Sequence, residues 1–271
     1  DLWREAVGGV VGSGGVAQSL FAARDAVGAQ EVRCLVLAPD GPALLRCPVV
    51  DGAVPSLAGV APALQWDERE ARDLHGVVFA GHEPHRSLVD HPADLAAWTT
   101  PITGDDVHQV AVGPIHAGVI ESGHFRFHVV GERILHIAAR LFHKHRGLER
   151  AAEGLPATEA LAVVQRACAG CAVANTIAFA DAVEQASGLD PDATTRRVRT
   201  LLLELERLWN HVNALGAICA GVGFAPGAMA FASFKERAQR IARDLTGHRF
   251  MFGAVSVGGS RLAIPADVAA A

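Results

Sequence analysis

Tyrosine is missing from all 271 residues, so no chemistry of this chain can use a phenol. Lysine is nearly missing as well. Lys144 and Lys235 are the only two, and neither follows a glycine-rich loop, which excludes a Walker-type nucleotide site. No basic run exceeds Arg196-Arg197, and 24 Lys and Arg against 29 Asp and Glu leave a formal charge of -5, so no phosphate-tracking stripe exists and nucleic acid is not an expected partner. Five cysteines, an odd number at irregular spacing, make no disulfide framework and point to a reducing, cytoplasmic setting. The chain begins at Asp1 without a methionine or a charged-then-apolar leader, which reads as the start of a fragment with no secretory signal. The uncharged stretch from Val212 to Phe234 is long enough to cross a bilayer. Pro226 between Gly223 and Gly227 instead predicts two helices meeting at a buried turn.

What is present is apolar. Half of the residues are hydrophobic, enough for one large or two modest domains, and disorder is excluded. Residues 1–95 read as a small α/β domain, with apolar runs Val32 to Leu37 and Ala43 to Val50, then an acidic helical segment from Trp66 closed by Gly76 and followed by a short strand to Phe79. His82 and His85 flank Glu83-Pro84, and Pro84 breaks the helix that a zinc-protease site needs. Pro92, Pro101, Gly104 and Asp105-Asp106 mark residues 96–108 as a linker. Residues 109–271 read as a mainly α-helical bundle with an N-terminal β-hairpin, Phe125 to Val129 against Ile134 to Ala138, giving an α+β class for the whole. Three amphipathic helices are expected: Ala157 to Ala186; one capped by Thr194, with a stripe from Val198 through Leu201, Leu205, Leu208 and Trp209 to Leu215; and one from Phe234 to Gly247.

The sharpest chemical feature is Arg166-Ala167-Cys168-Ala169-Gly170-Cys171. On a helix, three-residue spacing places both sulfurs on one face, pointing inward among Leu161, Val164 and Phe179 and within reach of one metal. Thiolates suit Zn, Ni or Fe, and free cysteines equally behave as small buried hydrophobes. Arg166 beside the pair would favour thiolate over thiol. Glu121 and His124 at a loop-to-strand junction are candidates for a proton path, with plain solvation as the alternative.

An ordered series of segments surrounds the pair: Gly113-Pro114-Ile115-His116, Glu121-Ser122-Gly123-His124-Phe125-Arg126-Phe127, His145-Arg146-Gly147-Leu148-Glu149, Leu203 to Leu208, Asn210-His211, Phe234 to Arg237 and Gly258-Gly259-Ser260-Arg261. Over about residues 108 to 265 this series resembles the large subunit shared by membrane-bound NiFe-hydrogenases and the 49-kDa-type subunit of respiratory complex I. Glu68-Arg69-Glu70, Asp73, Gly76, Phe79 and His82 resemble the 30-kDa-type complex I subunit. The two fused in one chain resemble the large subunit of formate hydrogenlyase, the hydrogenase-3 type.

That resemblance implies an oxidoreductase subunit interconverting H2 and protons. Cys168 would be a terminal nickel ligand, Cys171 a bridge between Ni and Fe, and Glu149 a holder of a divalent cation such as Mg near the site. Glu121, His124 and Arg166 would serve the chemistry. It implies an iron-sulfur small subunit as partner, contact with the membrane only through partner subunits, and a peripheral place on the cytoplasmic face. It also implies that both domains are incomplete, because the family's second Cys-x-x-Cys is absent here. Ala169 stands at the family's glycine position and Asn175 at its histidine position. Two alternatives stand beside this reading: a complex I-like subunit shaping a quinone site without metal, and a non-catalytic module whose cysteine pair is a remnant or binds zinc. The cysteine pair belongs to the hydrogenase branch.

Overall fold

The computed structural model describes residues 2–83, 86–90, 94, 98–115 and 122–262, and these divide into two compact units, 1–145 and 146–271. The three-stranded sheet that begins the expected helical domain belongs to the first unit.

In the first unit, helix α1 (Leu2–Gly12) packs Trp3 and Val7 on an antiparallel sheet of β1 (Val16–Arg24), β2 (Gln30–Ala38) and β3 (Gly41–Pro48). Alternation decides which face is covered, since Val32, Cys34 and Val36 of the central strand are completely buried. Asp25 sets the β1–β2 turn by accepting the N–H groups of Val27 and Ala29. Strand β4 (Ala53–Pro55) pairs in parallel with β5 (Val78–Ala80) across helix α2 (Gln65–His75), which ends at Gly76 in the left-handed conformation, as the sequence predicts. Glu68 on α2 is fully buried and accepts from Ser56 Oγ at 2.7 Å and the Leu57 N–H at 2.5 Å, with His82 Nδ1 at 2.6 Å. The 30-kDa-like acidic signature therefore includes a buried polar brace. A second antiparallel sheet, β6 (His108–Val112), β7 (His124–Val130) and β8 (Arg133–Arg140), contains the expected hairpin as β7 and β8.

The second unit holds α3 (Leu148–Ala152), α4 (Ala157–Val164), α5 (Ala172–Ser187), α6 (Ala193–Gly221), α7 (Ala225–Thr246) and a small hairpin, β9 (Val255–Ser256) with β10 (Gly259–Ser260). The N-cap of α6 is Asp192, which accepts the Thr195 N–H at 2.6 Å, and not Thr194 as expected. Helices α6 and α7 are antiparallel neighbours, with Lys235 Nζ donating to Asn213 at 3.0 Å; their turn lies where Gly223 and Pro226 predict it. Gly227 in the first turn of α7 allows close packing there, because a Cβ would sit 2.4 Å from the Phe224 ring and 2.9 Å from Cys219 Sγ and force both side chains to shift. The core gathers Leu161, Val173, Ala180, Val198, Leu202 and Ala242 around Met251 and Val255.

Candidate metal centre

The cysteine segment is not the middle of one helix, contrary to the periodicity. Helix α4 stops at Val164, Cys168 is extended (φ -148°, ψ 125°), residues Ala169–Cys171 form one 3-10 turn closed by the Cys171 N–H on the Cys168 carbonyl at 3.2 Å, and α5 starts at Ala172. The helical pieces on either side meet at 118°. The physical reason is competition for backbone groups. Arg146 donates to the carbonyls of Arg166 and Ala167 at 3.0 and 2.5 Å, Asn210 Nδ2 donates to the Gly170 carbonyl at 2.5 Å, and Glu206 accepts the N–H groups of Val173 and Ala174 at 2.7 and 2.9 Å. Small side chains at 167 to 172 offer little packing to set against these bonds, so tertiary contacts override helical spacing. Gly170 lies against α6, where a Cβ would meet Asn210 Oδ1 at 3.2 Å.

The break still brings the two thiols together. Cys168 is half-buried, Cys171 is exposed rather than turned into the core, and a hydrogen bond joins their side chains. The Cys171 thiol is pushed up to about 11 by the partial burial of its sulfur, then by that hydrogen bond, the neighbouring Cys168 and the Glu206 carboxylate. Every one of these influences favours thiol. The Arg166 guanidinium is turned elsewhere, donating to the Ala162 carbonyl at 2.5 Å and lying 5.6 Å over the Phe252 ring. Burial likewise raises Glu206, against two backbone hydrogen bonds that lower it.

The other predicted site residues are dispersed. Glu149 is exposed on α3, and among the described residues no three His, Cys, Asp or Glu side chains assemble at metal-binding distance, so it does not complete a three-donor set with the thiols. His124 opens β7 in the first unit, edge-on to Trp98 at 5.4 Å, with its proton affinity lowered by burial and by Arg126 and Arg140. Glu121 and His116 lie outside the described residues. The residues that shape the cysteine loop, Arg146, Glu206 and Asn210, stand within the motif segments, but the sequence alone gave them no role. The available signal was two polar residues one turn apart, 206 and 210, on an otherwise leucine-rich helix.

Residues 146–216, which hold the thiol pair and all three of its props, match the nickel-dependent hydrogenase family. Residues 23–102 match the 30 Kd subunit of respiratory-chain NADH dehydrogenase. The chain is thus similar in its first part to a complex I subunit and in its second to nickel-dependent hydrogenases. Hydrogenase-4 component G of Escherichia coli K12 is 34% identical over 232 residues, 76% of this chain and 42% of that protein. Formate hydrogenlyase subunit 5 of the same organism is also 34% identical, over 233 residues, 76% of this chain and 41% of that protein. Among solved structures, a chain of the membrane-bound sulfane sulfur reductase, an archaeal respiratory membrane complex, is 26% identical with a TM-score of 0.56, covering 62% of this chain and 44% of that one. The chain spans less than half the length of the curated relatives it matches.

Proposed function

We propose that this chain is part of the large subunit of a membrane-associated hydrogenase complex of the formate hydrogenlyase type, and that Cys168 and Cys171 supply two thiolates to its NiFe centre. The observation that carries the reading is the adjacent pair of thiols, one of them accessible, on a loop held by side chains within the hydrogenase-matching segment. Soft sulfur donors fit nickel and iron. They would be two of the four thiolates that the resemblance implies for such a centre. When bound, such a centre would supply the redox and Lewis-acid chemistry for interconverting H2 and protons. This chain's own residues present the two sulfurs, hold Cys171 toward its thiol form, and fix the loop between α4 and α5. Glu149 is the candidate carboxylate for a divalent cation such as Mg, and Glu121 and His124 are the candidates for carrying protons.

A large subunit without clusters of its own has to pass electrons to a neighbour, and an iron-sulfur small subunit is the partner whose chemistry fits. Exposed Leu201, Leu208, Leu215, Ile218, Val222 and Phe224 on and beside α6 supply an apolar face for a permanent interface. No single helix among the described residues is long and apolar enough to cross a membrane, which fits attachment through other subunits at the cytoplasmic face. The test is metal analysis and hydrogen uptake of the complex isolated from its host, with and without Cys171→Ser. Nickel at one per complex and its loss in the variant are expected. Zinc alone would favour the non-catalytic module, and no metal together with quinone binding would favour the complex I-like reading.

A further inference from the structure

Both flanks of the cysteine loop are held by side chains outside the donor set. Glu206 and Asn210 lie one turn apart on α6, so a single helix face bonds the Gly170 carbonyl and the N–H groups of Val173 and Ala174, on either side of Cys171. Glu206 is only 3% exposed, and a carboxylate is buried at such a place only when strong donors replace its water. Here they are the orphan N–H groups of the first turn of α5, at the positive end of its dipole. Most helices solve this locally, with a Ser, Thr, Asp or Asn side chain at the N-cap. The N-cap of α5 is Cys171 itself, and its side chain makes no cap bond. Asn210 also donates to the Glu206 carbonyl at 2.9 Å, which ties the two props to each other.

We infer that Glu206 and Asn210 are positioning residues: Glu206 takes over the helix-capping function from Cys171, leaving its sulfur free to ligate, Asn210 holds the Gly170 carbonyl, and together they set the Cys168–Cys171 loop in a ligand-ready conformation before any metal arrives. This deepens the proposed metal role of the pair and rests on it. The loop is organised by protein hydrogen bonds, in contrast to sites that fold only around their metal.

The test uses the full chain and two readouts. Without metal, hydrogen exchange in a peptide spanning residues 166–176 should quicken in Glu206→Ala and in Asn210→Ala while peptides from β2 stay as protected as in the wild type. With Cd(II) as probe, read by its thiolate charge-transfer absorbance against a Cys171→Ser background, affinity should fall roughly 10-fold or more in both variants. Glu206→Gln, which keeps one acceptor oxygen, should fall between Ala and wild type. Val198→Ala, a core change on the same helix that lowers stability without touching the loop, should bind Cd(II) like the wild type. Should Glu206→Ala fail to fold, Asn210→Ala decides. Affinities within twofold of wild type in the folded variants, or an equal loss in Val198→Ala, overturn the inference. A wild-type chain that takes up no Cd(II) refutes the metal reading instead, and unchanged exchange at 166–176 in the variants refutes the loop-holding role separately.

Discussion

Replacing Arg199 by methionine should remove more stability from the second unit than any surface change, and in a pH-dependent way. Arg199 is 4% exposed and donates to Glu184 through two nitrogens, Nη1 at 2.9 Å and Nη2 at 2.5 Å, and also to Asp181 at 2.9 Å and the Ser256 carbonyl at 2.9 Å. Glu184, 3% exposed, in turn accepts the Gly258 N–H at 2.6 Å, so one ion pair fastens α5, α6 and the β9–β10 hairpin. Removing one partner of a buried pair leaves the other charge uncompensated, a loss of about 3–5 kcal/mol; Asp181 is half exposed, which places this case near 3 kcal/mol. For a unit of this size that is a fall in Tm of roughly 12 °C. Arg199 holds the Glu184 carboxyl below its ordinary value of 4.5, so the pair contributes fully above that pH and its contribution is lost as pH falls through the lower folded value. In Arg199→Met, burial pushes Glu184 up against only the Gly258 amide and the charge of Arg196, so protonation relieves the variant sooner. The difference between wild type and variant in urea titrations should therefore be widest near pH 7 and narrow toward pH 4. A difference below about 1 kcal/mol at pH 7, or one that does not change with pH, refutes the reasoning.

Glu68→Ala in the first unit strands the Leu57 N–H and Ser56 Oγ and removes the carboxylate from His82, and should cost about 3 kcal/mol by urea denaturation followed through tryptophan fluorescence; a loss under 1 kcal/mol would show the brace to be incidental. Cys171, raised to about 11 from 9.0, should alkylate slowly at pH 7.5 with a rate still climbing at pH 10, as followed by mass spectrometry; a rate that levels off below pH 9 contradicts the assigned surroundings. Leu208→Lys with Leu215→Lys, at positions 54% and 46% exposed, should leave the thermal unfolding of the chain unchanged and stop its assembly into the isolated complex; normal assembly would place the partner elsewhere.

The sequence made helices and turns legible wherever a local signal was sufficient. Gly76 and Gly247 end α2 and α7 because the left-handed conformation needed there is cheap only for glycine, and Pro226 with its flanking glycines separates α6 from α7. Local reading failed at the cysteine loop, where Ala, Cys and Gly at threes and fours look helical and the decisive bonds come from 40, 33 and 32 residues away. It failed on α6 in a second way. The sequence shows one apolar stripe, yet Leu202 is fully buried while Leu201 and Leu208 are 47% and 54% exposed. Periodicity reports that a face is apolar and does not report how much protein lies against it.

That limit bears on the site as well. A helix of 29 residues runs about 43 Å, and the core given by α5, α7 and Met251 covers only the side carrying Val198, Leu202, Glu206 and Trp209. Three exposed leucines of the helix recur at intervals of seven, Leu201, Leu208 and Leu215, the repeat that a facing helix reads. The same helix therefore has a polar pair, Glu206 and Asn210, that shapes the cysteine loop, and an apolar row that the described residues leave to water. Two sulfurs make a weak metal site, and an uncovered apolar row is an unfavourable surface. Leu208 lies about 200° around the helix from Glu206, so the row and the loop are served by opposite faces of α6, and a partner can cover the first without disturbing the second.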